Sequence, residues 1–413
     1  MWKAGVMRVL MLGWELPPHY VGGMGIVCDQ LTRQMARDGA DIEFILPFYA
    51  DYSHITHMKV RAALEQDATT LMQSGGTYDS MLYNVTNKAG VTTVRSLYDQ
   101  INYFEQNVPK MIKIGDYDVI HVHDWLTIRA GIAAKLKTGL PLFVHIHATE
   151  YHRAGGQDGN PLIHDIEYSG LHMADHIFAV SNFTKQILVR EYDIPADKIT
   201  VAENVMDVSL EAIDEVHTTF RYLESLKAQG YAVVLNAGRM TVQKGIYHLL
   251  NAARLVVNKR PKTIFLFVGG GELIPELLRH AAVLGLSRNV IFTGRVEGIG
   301  KQWRDSFRIA DLFVMPSVSE PIGLVPYEAT AYGAPSLVSK QSGIVDFFRN
   351  TLKVDYWDSR EMANQILGVL DNPVLHDVLL ANARTEKAEK SWAPISERII
   401  DTYRHHSFAR VAA

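Results

Sequence analysis

The sequence predicts an α/β chain of two domains, each a parallel sheet flanked by helices, and three observations carry that prediction. Short apolar runs of strand length alternate with stretches whose apolar residues recur at helical spacing. The alternation lapses in a charged, weakly helical segment from about 208 to 230 and restarts at Tyr231. Most of the apolar runs end in glycine, histidine or a charged residue, and the carboxyl ends of strands are where an open α/β sheet binds ligands. At 413 residues the chain exceeds one typical core, which fits two.

Arg8–Leu12 is read as the first strand, too short for a bilayer and bounded by Gly13. A loop containing Gly22-Gly23-Met-Gly25 leads to a helix over Ile26–Asp38, stopped by Gly39, and a strand over Asp41–Pro47 follows. Glycines between a strand and a helix N-terminus let backbone N–H groups approach an anion, which the helix dipole favours. Their spacing fits neither the dinucleotide fingerprint nor a P-loop. Residues 51 to 108 read as short hairpin-like strands and loops, with turn signals at Ser74-Gly-Gly76 and Asn87-Lys-Ala-Gly90, ahead of a helix from about 100 to 114.

Val119-Ile-His-Val-His-Asp124 is a strand followed by a helix over Trp125–Lys135, and Pro141–His147 is the next strand. His121, His123, His145 and His147 raise a metal hypothesis, but no helical His pair or Glu-x-x-His supports it. The first three are read as packed, and His147, at a strand's carboxyl end, as the ligand contact. A helix over Ile163–Met173, a strand over Ala174–Val180, an N-cap at Ser181 and a strand over Ile199–Ala202 complete the first domain.

In the second half, strand Tyr231–Gly238 opens into Arg239-Met-Thr-Val-Gln-Lys244-Gly245, two cations ahead of a helix over Ile246–Val257. Arginine offers a fork and lysine a point charge, a suitable pair for a diphosphate. Thr263–Val268, Asn289–Gly294, Leu312–Met315 and Pro335–Ser339 are read as strands, with helices over Glu272–Leu284 and Trp303–Ala310 between them. After Met315 come Glu320, in a loop, and Glu328, in the next helix, placed to hold two parts of one ligand. The tail from Ser391 to Tyr403 is an amphipathic helix.

The charge and cysteine content narrow the function. A net charge of -4 argues against nucleic acid as a partner, and a single cysteine, Cys28, rules out an internal disulfide framework and suits a reducing compartment. No apolar run reaches membrane length, so the expected location is the cytoplasm.

The order of these motifs resembles the retaining GT-B glycosyltransferases, family 4 and its glycogen (starch) synthase neighbours, nearly end to end. The residues that carry the resemblance are Trp14-Glu-Leu-Pro-Pro-His-Tyr-Val-Gly-Gly-Met-Gly25, His121-Val-His-Asp-Trp-Leu-Thr127, His147-Ala-Thr-Glu150, Gly238-Arg-Met-Thr-Val-Gln-Lys-Gly245 and Glu320-Pro-Ile-Gly-Leu-Val-Pro-Tyr-Glu328. It implies a GT-B fold, two Rossmann-like domains with parallel sheets facing a central cleft: 1–207 on the acceptor side, 208–388 for the nucleotide-sugar donor, and a helix from 389 to 413 packing back on the N-terminal domain. It implies a hexosyl transfer, glucosyl by preference, from a UDP- or ADP-sugar to a glucan or other sugar acceptor, with no cofactor and no metal.

By the same resemblance Arg239 and Lys244 hold the diphosphate, Glu328 binds the ribose hydroxyls and Glu320 sits beside the donor sugar. Gly323, Leu324, Gly22 and Gly23 offer backbone N–H groups to the donor, and His147 touches the sugar near its reacting carbon. The departures from the pattern are Tyr20-Val21 before the Gly-Gly pair, Ile322 after Glu-Pro, Tyr327 before the second glutamate, Ser342-Gly343 in the last donor loop and Val205 after Asn204. Two other readings of the same fold are a nucleotide-sugar 2-epimerase and a non-catalytic sugar- or nucleotide-binding protein.

Overall fold

The computed structural model describes residues 6–18, 23–63, 69–73, 82–86, 92–207, 219–296 and 300–411. The chain divides into two compact units. Met1–Glu150, Asp158–Val205 and Ser391–Ala413 form the first, and Tyr151–Gln157 with Met206–Lys390 form the second.

One feature of this division is not read from the sequence. The short segment Tyr151–Gln157 belongs to the second unit, where Gly155 lies against Val242 and Val318. The tail helix, Ala393–Val411, belongs to the first unit. Trp392 Nε1 donates to Gln30 Oε1 (3.1 Å), Arg398 Nη1 donates to the Val201 carbonyl (2.6 Å), and the fully buried Tyr403 meets His121.

The first unit contains a seven-stranded sheet. Its strands are β1 (Met7–Leu12), β2 (Ala40–Leu46), β3 (Lys59–Ala62), β7 (Val119–His123), β8 (Leu142–Ile146), β9 (His176–Ala179) and β10 (Ile199–Val201). All neighbours are parallel, in the order β10-β9-β8-β7-β1-β2-β3. The order reverses between β1 and β7, which makes that crevice the switch point of the sheet. Buried on both faces, the central strands read as near-continuous apolar runs, and the histidines of β7 and β8 are the exceptions.

Between 51 and 108 the described residues include the expected hairpin-like strands. β3 extends the large sheet in parallel, while β4 (Thr69–Gln73), β5 (Leu82–Thr86) and β6 (Thr92–Ser96) form a separate antiparallel sheet. The turn signals at 74–76 and 87–90 lie outside the described residues. The following helix is Leu97–Met111, three residues earlier than expected, because Ser96 and Asp99 close a capping box at its start.

The second unit holds a six-stranded parallel sheet of β11 (Ala232–Ala237), β12 (Thr263–Val268), β13 (Val290–Phe292), β14 (Leu312–Met315), β15 (Ser336–Ser339) and β16 (Leu352–Val354). Its order is β13-β12-β11-β14-β15-β16, so the switch point lies between β11 and β14. Helix Ile246–Lys259 buries Leu249, Leu250, Ala252, Ala253 and Val256 against Phe265, Phe267, Leu312 and Val314. Each fully buried leucine, valine or phenylalanine here contributes roughly 1.5–3 kcal/mol, so the strand ends around the switch point rest on a firm base. No described helix is long and apolar enough to cross a membrane.

Candidate functional site

In the second unit β11 and β14 are hydrogen-bonded neighbours, with Val234 opposite Leu312 and Leu235 opposite Phe313. Asn236 Nδ2 ties them further by donating to the Val314 carbonyl (2.9 Å). Loops leaving adjacent strands at a switch point must emerge side by side. These two are 238–245 and 316–324, the segments that carry the two cations and the first glutamate.

Lys244 Nζ donates to Glu320 Oε2 at 2.5 Å, and Ser317 Oγ donates to the same oxygen at 2.9 Å. Glu320 is 7% exposed, so its charge is held by a cation and a hydroxyl instead of by bulk water. Oε1 accepts nothing among the described residues. Gln243 locks the loops together: its Nε2 donates to the Ser319 carbonyl (2.9 Å) and its carbonyl accepts from Val318 N–H (2.8 Å). Gly245 has φ 65, and a Cβ there would overlap the Pro316 carbonyl oxygen, so only glycine lets the Lys244 loop seat against the β14 exit. Arg239 is exposed, and among the described residues its guanidinium has no hydrogen bond or ion pair.

Glu320 is also pinned through its backbone. Its N–H donates to the Gln341 carbonyl, and its carbonyl accepts from Gly343 N–H, both at 2.9 Å. Ser342 has extended backbone (φ -136, ψ 136), so nothing there requires glycine. Its hydroxyl donates to the Ile322 carbonyl at 3.1 Å, a tie that a glycine would lack.

Helix Val325–Tyr332 begins just after Gly323 and Leu324, with Leu324 as its N-cap and no side-chain cap. Gly323 has φ 79 and lies so close to Met315 and the Glu320 side chain that a Cβ would collide with both. The first-turn amides therefore sit beside Glu320 with the positive end of the helix dipole. Glu328, in the same helix, is 6% exposed. It does not meet Glu320. Its Oε1 accepts from Trp303 Nε1 at 2.7 Å. Burial raises its pKa to about 7, and the indole N–H partly offsets that rise.

In the first unit Gly23 is the first residue of helix Gly23–Arg37, which starts earlier than the sequence suggested; Gly22 lies outside the described residues. The buried Glu15 has already placed a carboxylate at this helix N-terminus, with Oε1 accepting from Gly25 N–H at 3.2 Å.

His147 follows β8, and its backbone is clasped by Asp124. Asp124 Oδ1 accepts from His147 N–H at 2.6 Å and from Ala148 N–H at 3.2 Å. Asp124 adopts φ 56, a conformation a non-glycine residue holds only when its surroundings impose it. The His147 ring is engaged at both nitrogens: Nδ1 faces Asn204 Nδ2 at 3.2 Å and Nε2 faces His123 Nδ1 at 3.0 Å. One assignment satisfies both, with Asn204 donating to Nδ1 and His147 donating from Nε2 to His123.

His121, His123, His145 and His147 form one stack, with ring centroids 4.5 Å apart for the 145–147 pair and 4.6 Å apart for the 121–123 pair. Parallel register brings the two strands' histidines together, since His123 pairs with His145. Burial holds all four neutral, His147 with a pKa of about 3. Two buried sets have ligand atoms within 4.8 Å of one another, His121–His123–His145 and Cys28–His123–His147. Among the described residues these are the groups able to hold a metal.

Sequence reading missed Asp124 as the clasp, Asn204 as the ring partner, and Trp303, Ser317 and Gln243 as supports. Asp124 and Gln243 stood inside quoted motifs without their roles being legible; for Gln243, Asn204 and Trp303 the partners are 25 to 76 residues away in the chain, and Ser317 lies a turn from its partner in a loop of unpredicted shape.

The model for Glycosyltransferase Family 4 matches residues 21–210, and that for Glycosyl transferases group 1 matches residues 223–389. An uncharacterized glycosyltransferase of Methanocaldococcus jannaschii is 27% identical, the match covering 96% of this chain and 98% of the relative. A glycogen synthase of Mycobacterium tuberculosis is 25% identical over 89% of this chain and 87% of its own. Among solved structures, a sucrose-phosphate synthase from Thermosynechococcus elongatus superposes with a TM-score of 0.70 at 20% identity, covering 98% of this chain and 100% of that one.

Proposed function

The chain belongs to glycosyltransferase family 4, is a transferase and has the GT-B fold, and we propose that it moves a hexosyl group, glucosyl by preference, from a UDP- or ADP-sugar to a glucan or other sugar acceptor, with retention at the anomeric carbon. One observation carries this reading: the loop with Arg239 and Lys244 and the segment from Glu320 to Glu328 leave the two strands that flank the switch point of the second sheet. The similarity to a glycogen synthase supports the glucosyl donor and the glucan acceptor.

In the proposed reaction the bond between the sugar's anomeric carbon and the diphosphate oxygen breaks, and negative charge gathers on the departing phosphate. Arg239, with its unengaged fork, and Lys244 meet that charge, and the amides at Gly323 and Leu324 add the helix dipole. Such preorganised donors lower the barrier because they need no reorganisation when the charge appears. These cations take the role that a metal fills elsewhere. Glu320, already bound to Lys244 and Ser317, orients the sugar and is not the nucleophile. The acceptor hydroxyl attacks from the leaving group's own face, and its proton passes to the departing phosphate. Glu328 accepts the ribose hydroxyls. A cytoplasmic location suits this supply of nucleotide sugar.

The test is a donor screen with the purified protein: UDP- and ADP-hexoses, with and without maltooligosaccharide, following nucleotide release and the anomeric configuration of the product. Release that depends on acceptor, with an α-linked product from an α-linked donor, is the expected result. A product epimer formed without acceptor would replace transfer by epimerisation.

A further inference from the structure

Glu328 and Glu320 are both buried carboxylates at the same end of one sheet, but they are stabilised differently. Glu320 has a lysine. Glu328 has no cation partner among the described residues, and its one hydrogen bond there comes from an indole. That indole is firmly placed. Trp303 lies in the first turn of helix Lys301–Ile309, and its ring packs edge-on against Phe307 with centroids 5.3 Å apart. Phe307 is fully buried and contacts Phe313 of β14 (5.8 Å) and Tyr332 of the Glu328 helix (6.1 Å). Ser306 Oγ donates to the Trp303 carbonyl at 2.6 Å, which holds the turn. Trp303 and Glu328 therefore share one rigid frame.

An indole N–H is a donor only, so Oε1 of Glu328 is held as an acceptor. Oε2, with no partner among the described residues, is the oxygen left for a ligand. A vicinal diol presents two O–H donors and is read best by a carboxylate whose plane is fixed. We propose that Trp303 is a positioning residue for nucleotide recognition: it clamps Oε1 of Glu328 so that the carboxylate meets the ribose diol in a fixed orientation. This rests on the reading of Glu328 as the ribose ligand. The plainer role, that the indole merely satisfies a buried oxygen, predicts loss of stability on its removal with no change in how ribose is distinguished from its deoxy form.

The experiment compares dissociation constants of UDP and ADP with those of their 2′,3′-dideoxy counterparts, for the wild type, Trp303→Phe and Glu328→Gln. The wild type is expected to prefer the ribonucleotide by about tenfold or more, the scale of hydrogen bonds to a charged group. Trp303→Phe should cut that preference about fivefold or more, leave dideoxynucleotide affinity within about twofold, and raise donor KM with kcat largely kept. A wild type that binds both forms equally overturns the ribose assignment to Glu328. A wild type that discriminates and a Trp303→Phe variant that discriminates as well overturns the role of Trp303 alone. Should Trp303→Phe fail to fold, the wild-type indole N–H resonance of Trp303 decides: it should shift with UDP or ADP and stay put with the dideoxy forms, and equal shifts with both overturn the proposal.

Discussion

The two units place different chemistry on the same scaffold. Each is a parallel sheet with one switch point, and each gathers polar side chains where strands end. In the first unit these are buried or part-buried imidazoles in a stack, neutral because burial disfavours charge, with hydrogen bonds between His123 and His147, to Asn204 and to Tyr403. In the second they are a partly buried ion pair, a guanidinium with no partner among the described residues and a carboxylate clamped by an indole. A neutral stack recognises by shape and hydrogen bonding. A charged cluster recognises by field. Titration and mutation should therefore separate the two.

The sharpest way to break the contrast is Lys244→Ala. It removes a charge from the proposed diphosphate site and leaves Glu320 buried without its cation. We expect kcat to fall at least about tenfold, towards the 10²–10³ range typical of losing one preorganised donor. The paired variant Lys244→Ala/Glu320→Gln should regain stability, because the stranded charge is gone, without regaining rate. Single-turnover rates and thermal melts measure both, and an unchanged rate in Lys244→Ala would remove the diphosphate assignment.

Acid should come next, and it should act on the first unit before the second. His147, with a folded pKa of about 3, and His176, at about 4, cannot take up protons that the unfolded chain accepts near pH 6.5, and His121, His123 and His145 are depressed in the same direction. Stability is thus complete above about pH 6.5 and declines as pH falls towards those folded values, by at most about 1.4 kcal/mol per pH unit for each imidazole. The second unit has His152, also near 3, and a depressed His248, but Glu328 works the other way. Its pKa is raised to about 7, so its protonation in the folded state gains stability as pH falls through 7. Hydrogen exchange at pH 7, 6 and 5, read on peptides from each unit, should show the first losing protection sooner; the reverse order would contradict the neutral-stack account.

The smallest expected effect is Tyr403→Phe. It deletes the hydroxyl that partners His121 Nδ1, costing about 1 kcal/mol in chemical denaturation, with donor KM unchanged. A large change in KM would mean that the stack is coupled to the donor site.

Much of the site was legible along the chain because its parts are local. Lys244-Gly245 and Glu320 to Glu328 are short segments whose residue types, spacing and place after an apolar run already describe a strand end, a turn and a helix start. The histidines of β7 and β8 were legible as a set but not as one stack, since strand register is a property of two segments paired in space. The pairing of β3 with the large sheet was hidden for the same reason: a weakly patterned strand declares its partner only when paired.

Sequence alone determined the α/β alternation, the restart at Tyr231 and the identity of the charged loops, because these follow from periodicity and turn chemistry within a few residues. Tertiary structure alone decided that Tyr151–Gln157 belongs to the second unit, that Asp124 clasps His147, and that Trp303 holds Glu328. Each of those is a contact between distant segments, fixed by which buried surfaces fit and which buried polar atoms must find a partner.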